Sequence, residues 1–213
     1  MQLKQLDLPG GGLLTVYLRD CVETMPQAME RPLVLVVPGG GYTHLSAREG
    51  DPVALQFAAA GYHTAVLRYA VGDDAAHGLP LRQLAAAIGL VRQHAAAWHV
   101  QPEKIAVCGF SAGGHLALSG AVLAVPGLPD PPRPNAVILG YPVITAGADA
   151  HRGSFVQLAG EDPAAQQAFS LEDKIPPRTP PVFVWHTMED ETVPVENTLL
   201  LVSALHRAGV PCE

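Results

Sequence analysis

The chain has 213 residues, of which 48% are hydrophobic and 15% are charged, and this composition predicts one globular domain and excludes a disordered polymer. Thirteen Lys and Arg residues against twenty Asp and Glu residues give a net charge of −7 without a basic cluster, so we expect neither nucleic acid nor a membrane as a partner. Three widely spaced cysteines, and an N-terminus without the pattern of a secretory signal, predict a cytoplasmic protein.

The first half of the chain predicts strands on either side of one helix. Apolar and polar residues alternate over residues 14–18, directly after a run of glycines, which predicts a half-buried strand that follows a hairpin turn. Residues 33–37 are all apolar and predict a strand that is buried on both faces. A helix is predicted over residues 51–60, because aspartate caps helices and proline fits their first turn. A further strand is predicted over residues 62–69.

The second half continues this alternation. Leucine, isoleucine and valine recur at helical spacing over residues 80–97, which predicts an amphipathic helix against a sheet. The pattern weakens over residues 144–180, where we expect a cap or lid above a pocket. The other predicted elements are strands over residues 105–108, 136–139 and 182–185 and a helix over residues 195–208. The chain is therefore predicted to be a single α/β domain, residues 1–213, with a mostly parallel sheet flanked by helices.

A Gly-x-Ser-x-Gly motif follows the strand predicted over residues 105–108. It reads Gly109-Phe110-Ser111-Ala112-Gly113 and leads into a helical run that is rich in alanine and leucine. In this context the motif places the serine on a sharp turn between strand and helix, with its hydroxyl exposed beside the first N–H groups of the helix. We predict that Ser111 is a nucleophile, and the alternative is an ordinary glycine-rich turn.

Three consecutive glycines follow the apolar strand over residues 33–37. Glycine allows the backbone to approach a ligand closely, and fixed backbone N–H groups stabilise the oxyanion that forms during acyl transfer. We predict that Gly40, Gly41 and Ala112 donate to this oxyanion. The alternative is that the glycines only turn the chain.

Three motifs follow one another along the chain. They are Val37-Pro38-Gly39-Gly40-Gly41-Tyr42, Gly109-Phe110-Ser111-Ala112-Gly113-Gly114-His115-Leu116 and Trp185-His186-Thr187-Met188-Glu189-Asp190-Glu191-Thr192-Val193-Pro194-Val195-Glu196-Asn197. Their order resembles that of the small esterases and lipases of the α/β-hydrolase superfamily. The chain is similar to the hormone-sensitive-lipase-like carboxylesterases and, more closely, to bacterial esterases related to acetyl-xylan esterases. The chain departs from this pattern at Pro38, where many relatives have the histidine of His-Gly-Gly-Gly.

The resemblance implies a serine carboxylesterase with an α/β-hydrolase fold. Such an enzyme cleaves short-chain acyl esters, for example acetyl esters of sugars, through an acyl-enzyme intermediate and needs no metal or organic cofactor. In the family pattern Asp-x-x-Val-Pro the acid of the triad is Asp190, and the alternative for Asp190 is a solvated acidic turn. Tyr42 and His115 adjoin the two glycine motifs, so we predict that both contact the substrate, with packing as the open alternative. Arg48-Glu49 is a further candidate for such contact, and the alternative is a surface position.

The position of the catalytic histidine differs from the family order. The resemblance implies that it follows the acid after one more helix and one more strand, but the only histidine beyond Asp190 is His206, within the helix predicted over residues 195–208. We therefore expect the sheet to lack its last strand, the chain to be truncated at its C-terminus and the histidine to lie beyond residue 213. The six histidines that remain besides His115, His186 and His206 are assigned to structural or surface positions, with no metal site: His44, His63, His77, His94, His99 and His151.

Two other functions remain open. If 213 residues are the native length, the alternative is a non-catalytic binding protein with a hydrolase fold. A nucleotide-binding domain is a weaker alternative, because the glycine-rich loops lack the Gly-x-Gly-x-x-Gly spacing.

Overall fold

The computed structural model describes residues 1–21, 24 and 29–213. Within these residues seven strands form one sheet. The strands are β1 (Gln2–Leu8), β2 (Gly12–Leu18), β3 (Arg31–Val37), β4 (His63–Arg68), β5 (Val100–Phe110), β6 (Ala136–Gly140) and β7 (Val182–Trp185). The predicted strands all coincide with elements of this sheet.

The sheet has the order β1-β2-β4-β3-β5-β6-β7. Strands β1 and β2 form the predicted hairpin, and β2 also pairs antiparallel with β4. The five strands from β4 to β7 in this order are all parallel, which confirms the prediction of a mostly parallel sheet. At the far edge residues 211–213 pair with β7, because Val182 N–H donates to Pro211 O at 3.0 Å and Val184 N–H donates to Glu213 O at 2.8 Å.

Helices cover both faces of the sheet. They are α1 (Asp51–Ala59), α2 (Leu79–Gln93), α3 (Ala95–Trp98), α4 (Ala112–Val122), α5 (Arg152–Ala159), α6 (Pro163–Gln167) and α7 (Glu196–Ala208). The prediction of one helix over residues 80–97 was wrong, because the chain leaves helical geometry at His94 (φ −95°, ψ 4°) and continues as a separate short turn of helix. None of the described helices combines the length and the apolar character needed to span a membrane.

The core lies on both sides of β3. Leu33, Leu35 and Val37 point into the larger apolar cluster, to which α2, α4 and α7 contribute, whereas Val34 and Val36 point into a smaller cluster beneath α1. Because side chains alternate between the two faces of a strand, a continuous apolar run is required here, as predicted. Strands β3 and β5 lie side by side at the centre of the sheet, and the loops that follow them carry Gly40, Gly41 and Ser111.

Residues 144–180 contain α5 and α6. The N-terminus of α6 is capped by Asp162, whose carboxylate accepts a hydrogen bond from Ala164 N–H at 3.1 Å. Helix α5 was not predicted, because its sequence has only a weak apolar face. The segment borders the cavity described below through His151 and Gly153.

Candidate active site

Ser111 lies on the sharp turn between β5 and α4. Its backbone has φ 52° and ψ −121°, a conformation that costs energy for any residue with a Cβ and is therefore held by its surroundings. Ser111 N–H donates to Gly140 O at 3.0 Å, and Ser111 O accepts from Val143 N–H at 3.1 Å. A Cβ at Gly109 would lie 2.2 Å from Gly113 O, so the turn requires glycine before the serine. The motif thus adopts the strained elbow that the sequence predicts.

The loop after β3 has a fixed backbone in which the N–H groups of Gly40 and Gly41 point to no partner among the described residues. Gly39 O accepts from Ser46 N–H at 2.9 Å and Gly40 O accepts from Thr43 N–H at 3.0 Å. Both Gly40 (φ 126°) and Gly41 (φ 63°) have positive φ, which glycine adopts without strain. In the part of the chain that the structure describes, neither the N–H of Gly40 nor that of Gly41 donates a hydrogen bond. These amides are available to a ligand.

The N-terminus of α4 supplies the third predicted amide. Ala112 is the first residue of this helix, and its N–H has no partner among residues 1–21, 24 and 29–213. The N–H groups of a first helical turn lack partners within the helix, and the helix dipole favours negative charge there. The three amides of Gly40, Gly41 and Ala112 are therefore compatible with the predicted oxyanion site.

Asp190 lies in the turn that follows β7 and is partly buried. Its Oδ1 accepts from the N–H groups of Thr192 at 2.8 Å and Val193 at 2.9 Å, and its Oδ2 lies 3.5 Å from His186 Nε2. The ring of His186 is held on both sides, since Nε2–H donates to Val193 O at 2.9 Å and Nδ1 accepts from the Thr198 hydroxyl at 2.7 Å. His186 therefore supports the turn and has no free nitrogen for a proton from Ser111.

A cavity of about 1000 Å³ contains Ser111 and Asp190 in its wall. It is lined by Gly40, Gly41, Thr43, His44, Leu45, Ser46, Ala47, Arg48, Glu49, Ser111, Tyr141, His151, Gly153, Trp185, Thr187, Asp190, Thr192 and Val193. The structure thus brings the predicted nucleophile, the predicted acid and two predicted oxyanion glycines to one cavity.

Tyr42 and His115 are absent from this wall. Each is only 1% exposed; the Tyr42 hydroxyl donates to His115 Nδ1 at 2.8 Å, and His115 Nε2–H donates to Phe169 O at 2.8 Å. Burial lowers the pKa of His115 to about 4, although the bond to Phe169 opposes this shift, and burial raises the pKa of Tyr42. Contrary to the prediction of substrate contact, their polar atoms are paired in the interior, where they connect the glycine loop to α4.

Two histidines that the sequence analysis assigned to structural or surface positions line the cavity. His44 Nδ1 lies 3.0 Å from the Thr43 hydroxyl, and His151 Nδ1 lies 2.9 Å from the Ser154 hydroxyl. Neither histidine forms a hydrogen bond with Ser111 in the described residues. His206 is exposed on α7, as predicted, and does not line the cavity.

Three further residues of the cavity wall are Glu49, which the sequence offered only as a candidate substrate contact, and Tyr141 and Trp185, which had no assigned role. Glu49 is 6% exposed, and its Oε1 accepts from the Tyr141 hydroxyl at 2.9 Å. Burial, followed by this hydrogen bond, raises the pKa of Tyr141. The ring of Tyr141 meets the 44% exposed ring of Trp185 edge to face, with centroids 5.2 Å apart. The sequence around Glu49 is a charged run of the kind usual in solvated turns, so it contained no signal of burial.

Comparisons with known proteins identify the family and the fold. The family model BD-FAE matches residues 20–126. Endo-1,4-beta-xylanase B of Butyrivibrio fibrisolvens is 36% identical over 195 residues, which cover 86% of this chain and 31% of the relative, so the chain spans about a third of the length of that curated relative.

Solved structures match over most of their length. The acetyl ester-xyloside bifunctional hydrolase from Caldicellulosiruptor lactoaceticus is 38% identical with a TM-score of 0.85, and the match covers 96% of this chain and 76% of that protein. MGS-M1, an α/β hydrolase enzyme from a Medee basin deep-sea metagenome library, is 36% identical with a TM-score of 0.83, over 100% and 79% of the two chains. The expected α/β-hydrolase fold is confirmed, and the chain belongs to the BD-FAE family of this superfamily.

Proposed function

We propose that this chain provides the active site of a serine-dependent carboxylic ester hydrolase. The observation that carries the proposal is the strained elbow, which presents Ser111 to a cavity that also contains Asp190 and the unpaired loop amides. In this mechanism Ser111 Oγ attacks the ester carbonyl and transfers its proton to a base. The negative charge that develops on the carbonyl oxygen is stabilised by the N–H groups of Gly40, Gly41 and Ala112.

The second half of the reaction returns the serine. The base gives its proton to the departing alcohol, and an acyl-Ser111 ester remains. Water then attacks this ester with the help of the same base, which releases the carboxylic acid. Asp190 orients the base and stabilises its protonated form, and the two backbone N–H bonds to Asp190 Oδ1 hold the carboxylate in place.

In the order of catalytic residues that the resemblance implies, the base is a histidine that follows the acid. We assign the role to none of His44, His151 and His206, because the first two form no hydrogen bond with Ser111 and the third is exposed on α7. Variants with alanine at these three positions are therefore expected to keep the chemical step.

The proposed substrate is a small, neutral ester with a short acyl group on a sugar. Two features support this class: the cavity has both polar and aromatic walls, and the rings of Tyr141 and Trp185 offer a surface for the apolar face of a sugar ring. The solved relative from Caldicellulosiruptor lactoaceticus is described as an acetyl ester-xyloside bifunctional hydrolase. We also propose that residues 144–180 act as a cap over this cavity. A cytoplasmic location is proposed separately, because the three cysteines are free.

The test is hydrolysis of p-nitrophenyl acetate by the whole protein. Ser111→Ala is expected to lose nearly all of the rate, because the members of a triad act as a unit. Ser119→Ala is the matched control: Ser119 lies on the same helix α4, is buried, and has an unpaired hydroxyl, so its removal should leave kcat unchanged. A fluorophosphonate should add its mass to Ser111 alone.

Retained turnover in Ser111→Ala would reject Ser111 as the nucleophile. If the wild-type protein binds esters in the cavity but does not turn them over, the chain is a binding protein with a hydrolase fold.

A further inference from the structure

Glu49 is a buried carboxylate in the wall of the cavity that the proposed mechanism does not use. It ends the short 3-10 helix Ala47–Glu49 and is 6% exposed. A buried charge is unfavourable unless its oxygens are hydrogen-bonded. The nearest cation is the guanidinium of Arg48, at 3.6 Å, but that side chain is 87% exposed, so the two neutral donors described next are the main partners of the carboxylate.

The first partner is the peptide that begins the oxyanion loop. Gly39 N–H donates to Glu49 Oε2 at 2.8 Å, and the carbonyl of the same peptide, Pro38 O, accepts from the Tyr69 hydroxyl at 2.7 Å. Because a peptide unit is planar, bonds to both its oxygen and its N–H fix the rotation of the unit about the chain. The next peptide along the chain contains the N–H of Gly40. The orientation of the first proposed oxyanion donor therefore depends on Glu49 and Tyr69.

Gly39 is also the point where Glu49 approaches the elbow. A Cβ at Gly39 would lie 2.6 Å from Phe110 O, 2.8 Å from Glu49 Oε2 and 3.1 Å from Ser111 Cβ. The loop thus lies tightly between the carboxylate and the nucleophile, and any displacement of Glu49 changes the separation between Ser111 and the loop amides.

The second partner lies on another strand. The Tyr141 hydroxyl donates to Glu49 Oε1 at 2.9 Å, and Tyr141 follows Gly140, whose carbonyl accepts from Ser111 N–H. Tyr141 comes directly after β6, whereas the oxyanion loop comes directly after β3, and β5 with Ser111 at its end lies between these two strands. One carboxylate therefore links the loops on both sides of the elbow.

From this geometry we infer that Glu49 is a positioning residue, which holds the oxyanion loop in register with Ser111 through hydrogen bonds to Gly39 and Tyr141. The inference rests on the proposed function. In this role Glu49 acts through the two hydrogen bonds that its oxygens accept, and not through its charge. A negative charge beside the forming oxyanion would destabilise that oxyanion. Glutamine can replace such an acceptor: its amide oxygen accepts from Gly39 N–H, and its NH₂ group donates to the Tyr141 hydroxyl, which both donates and accepts.

The experiment compares Glu49→Gln with Glu49→Leu in the whole protein. Glu49→Gln is expected to keep kcat for p-nitrophenyl acetate within about fivefold of wild type, because both bonds are rebuilt. Glu49→Leu is expected to lower kcat about 100-fold with little change in KM, since a loop displacement of about 1 Å weakens only the transition-state contact. Its affinity for phenylboronic acid, which forms a tetrahedral adduct with a nucleophilic serine, should fall in parallel with kcat/KM.

Tyr69→Phe is a second test, which remains informative even if Glu49→Leu does not fold. It removes the bond to Pro38 O at the other end of the same peptide and should lower kcat about tenfold, again with KM unchanged. Wild-type kcat in both Glu49→Leu and Tyr69→Phe would overturn the inference. Equal inactivity of Glu49→Gln and Glu49→Leu would also overturn the inference, since activity would then require the charge of Glu49 and not its hydrogen bonds.

Ser111→Ala, measured in parallel, separates the two proposals. Turnover that survives in Ser111→Ala contradicts the proposed function. An inactive Ser111→Ala together with unchanged Glu49→Leu and Tyr69→Phe contradicts only the positioning role of Glu49.

Discussion

Gly40→Ala adds one methyl group at the point of the oxyanion loop that tolerates it least. The Cβ would lie 2.2 Å from His44 O and 2.8 Å from His44 C, whereas real Cβ atoms essentially never come closer than 3.0 Å to another heavy atom. Both of these atoms belong to the backbone, so no side-chain rotation relieves the contact. The φ of 126° at Gly40 is also one that alanine rarely adopts. The loop must therefore move by about 1 Å to restore a normal contact distance.

The expected consequence is a loss of transition-state stabilisation. A misplacement of about 1 Å costs about 100-fold in rate, which is also the lower end of the loss on removal of one oxyanion donor. We expect kcat for p-nitrophenyl acetate to fall about 100-fold and KM to stay within about threefold, because the ground-state ester does not use these amides. Steady-state kinetics of the whole protein measures both constants.

Two glycines of positive φ serve as controls. A Cβ at Gly41 (φ 63°) would lie 3.6 Å from its nearest neighbour, His151 Cε1, so Gly41→Ala carries about 1 kcal/mol of conformational strain without a clash. A Cβ at Gly11 (φ 83°) would have no neighbour within 4 Å, which makes Gly11→Ala a control for strain outside the cavity. If Gly40→Ala keeps more than about a tenth of the wild-type kcat, or loses no more than Gly11→Ala, the assignment of this loop as the oxyanion site is wrong.

Three other measurements test separate parts of the structure. Asp190→Asn keeps the shape of the acid but not its charge and should lower kcat by about 10³ to 10⁴. Glu189→Gln, at an exposed neighbouring position, should keep the wild-type kcat. Equal losses of kcat in the two variants would reject Asp190 as the acid. Because burial lowers the pKa of His115 to about 4, against about 6.5 in the unfolded chain, the unfolded state binds one more proton between these values. His115 should therefore contribute a fall of about 1.4 kcal/mol in the free energy of unfolding for each pH unit of acidification in this range. Urea titrations at several pH values should give His115→Gln a dependence of this free energy on pH that is smaller by that amount; an identical pH dependence in the two proteins would contradict the buried neutral state. Trp185→Ala should raise KM for acetylated xylosides and leave that for p-nitrophenyl acetate unchanged, so an equal rise for both would argue against sugar packing on this ring.

The elements that could be predicted are those with a local pattern. The continuous apolar run over residues 33–37 and the glycines around Ser111 require a buried strand and a sharp elbow, because strand burial and backbone conformation depend on residues that are close in sequence. The positions of Ser111, Asp190 and the oxyanion glycines were predicted from such patterns, together with the family order of the motifs. Local pattern failed at His94, where the apolar spacing continues although the helix does not.

The roles that could not be predicted depend on partners that are distant in the chain. Glu49 lies in a charged run typical of a solvated turn, and it is buried because Tyr141, 92 residues later, donates to it at the end of another strand. Tyr42 and His115 are separated by 73 residues, and the hydrogen bond between them leaves neither free for the substrate. Sequence spacing contains no information on such pairs, because the sheet order, rather than the chain order, determines which loops meet at the cavity.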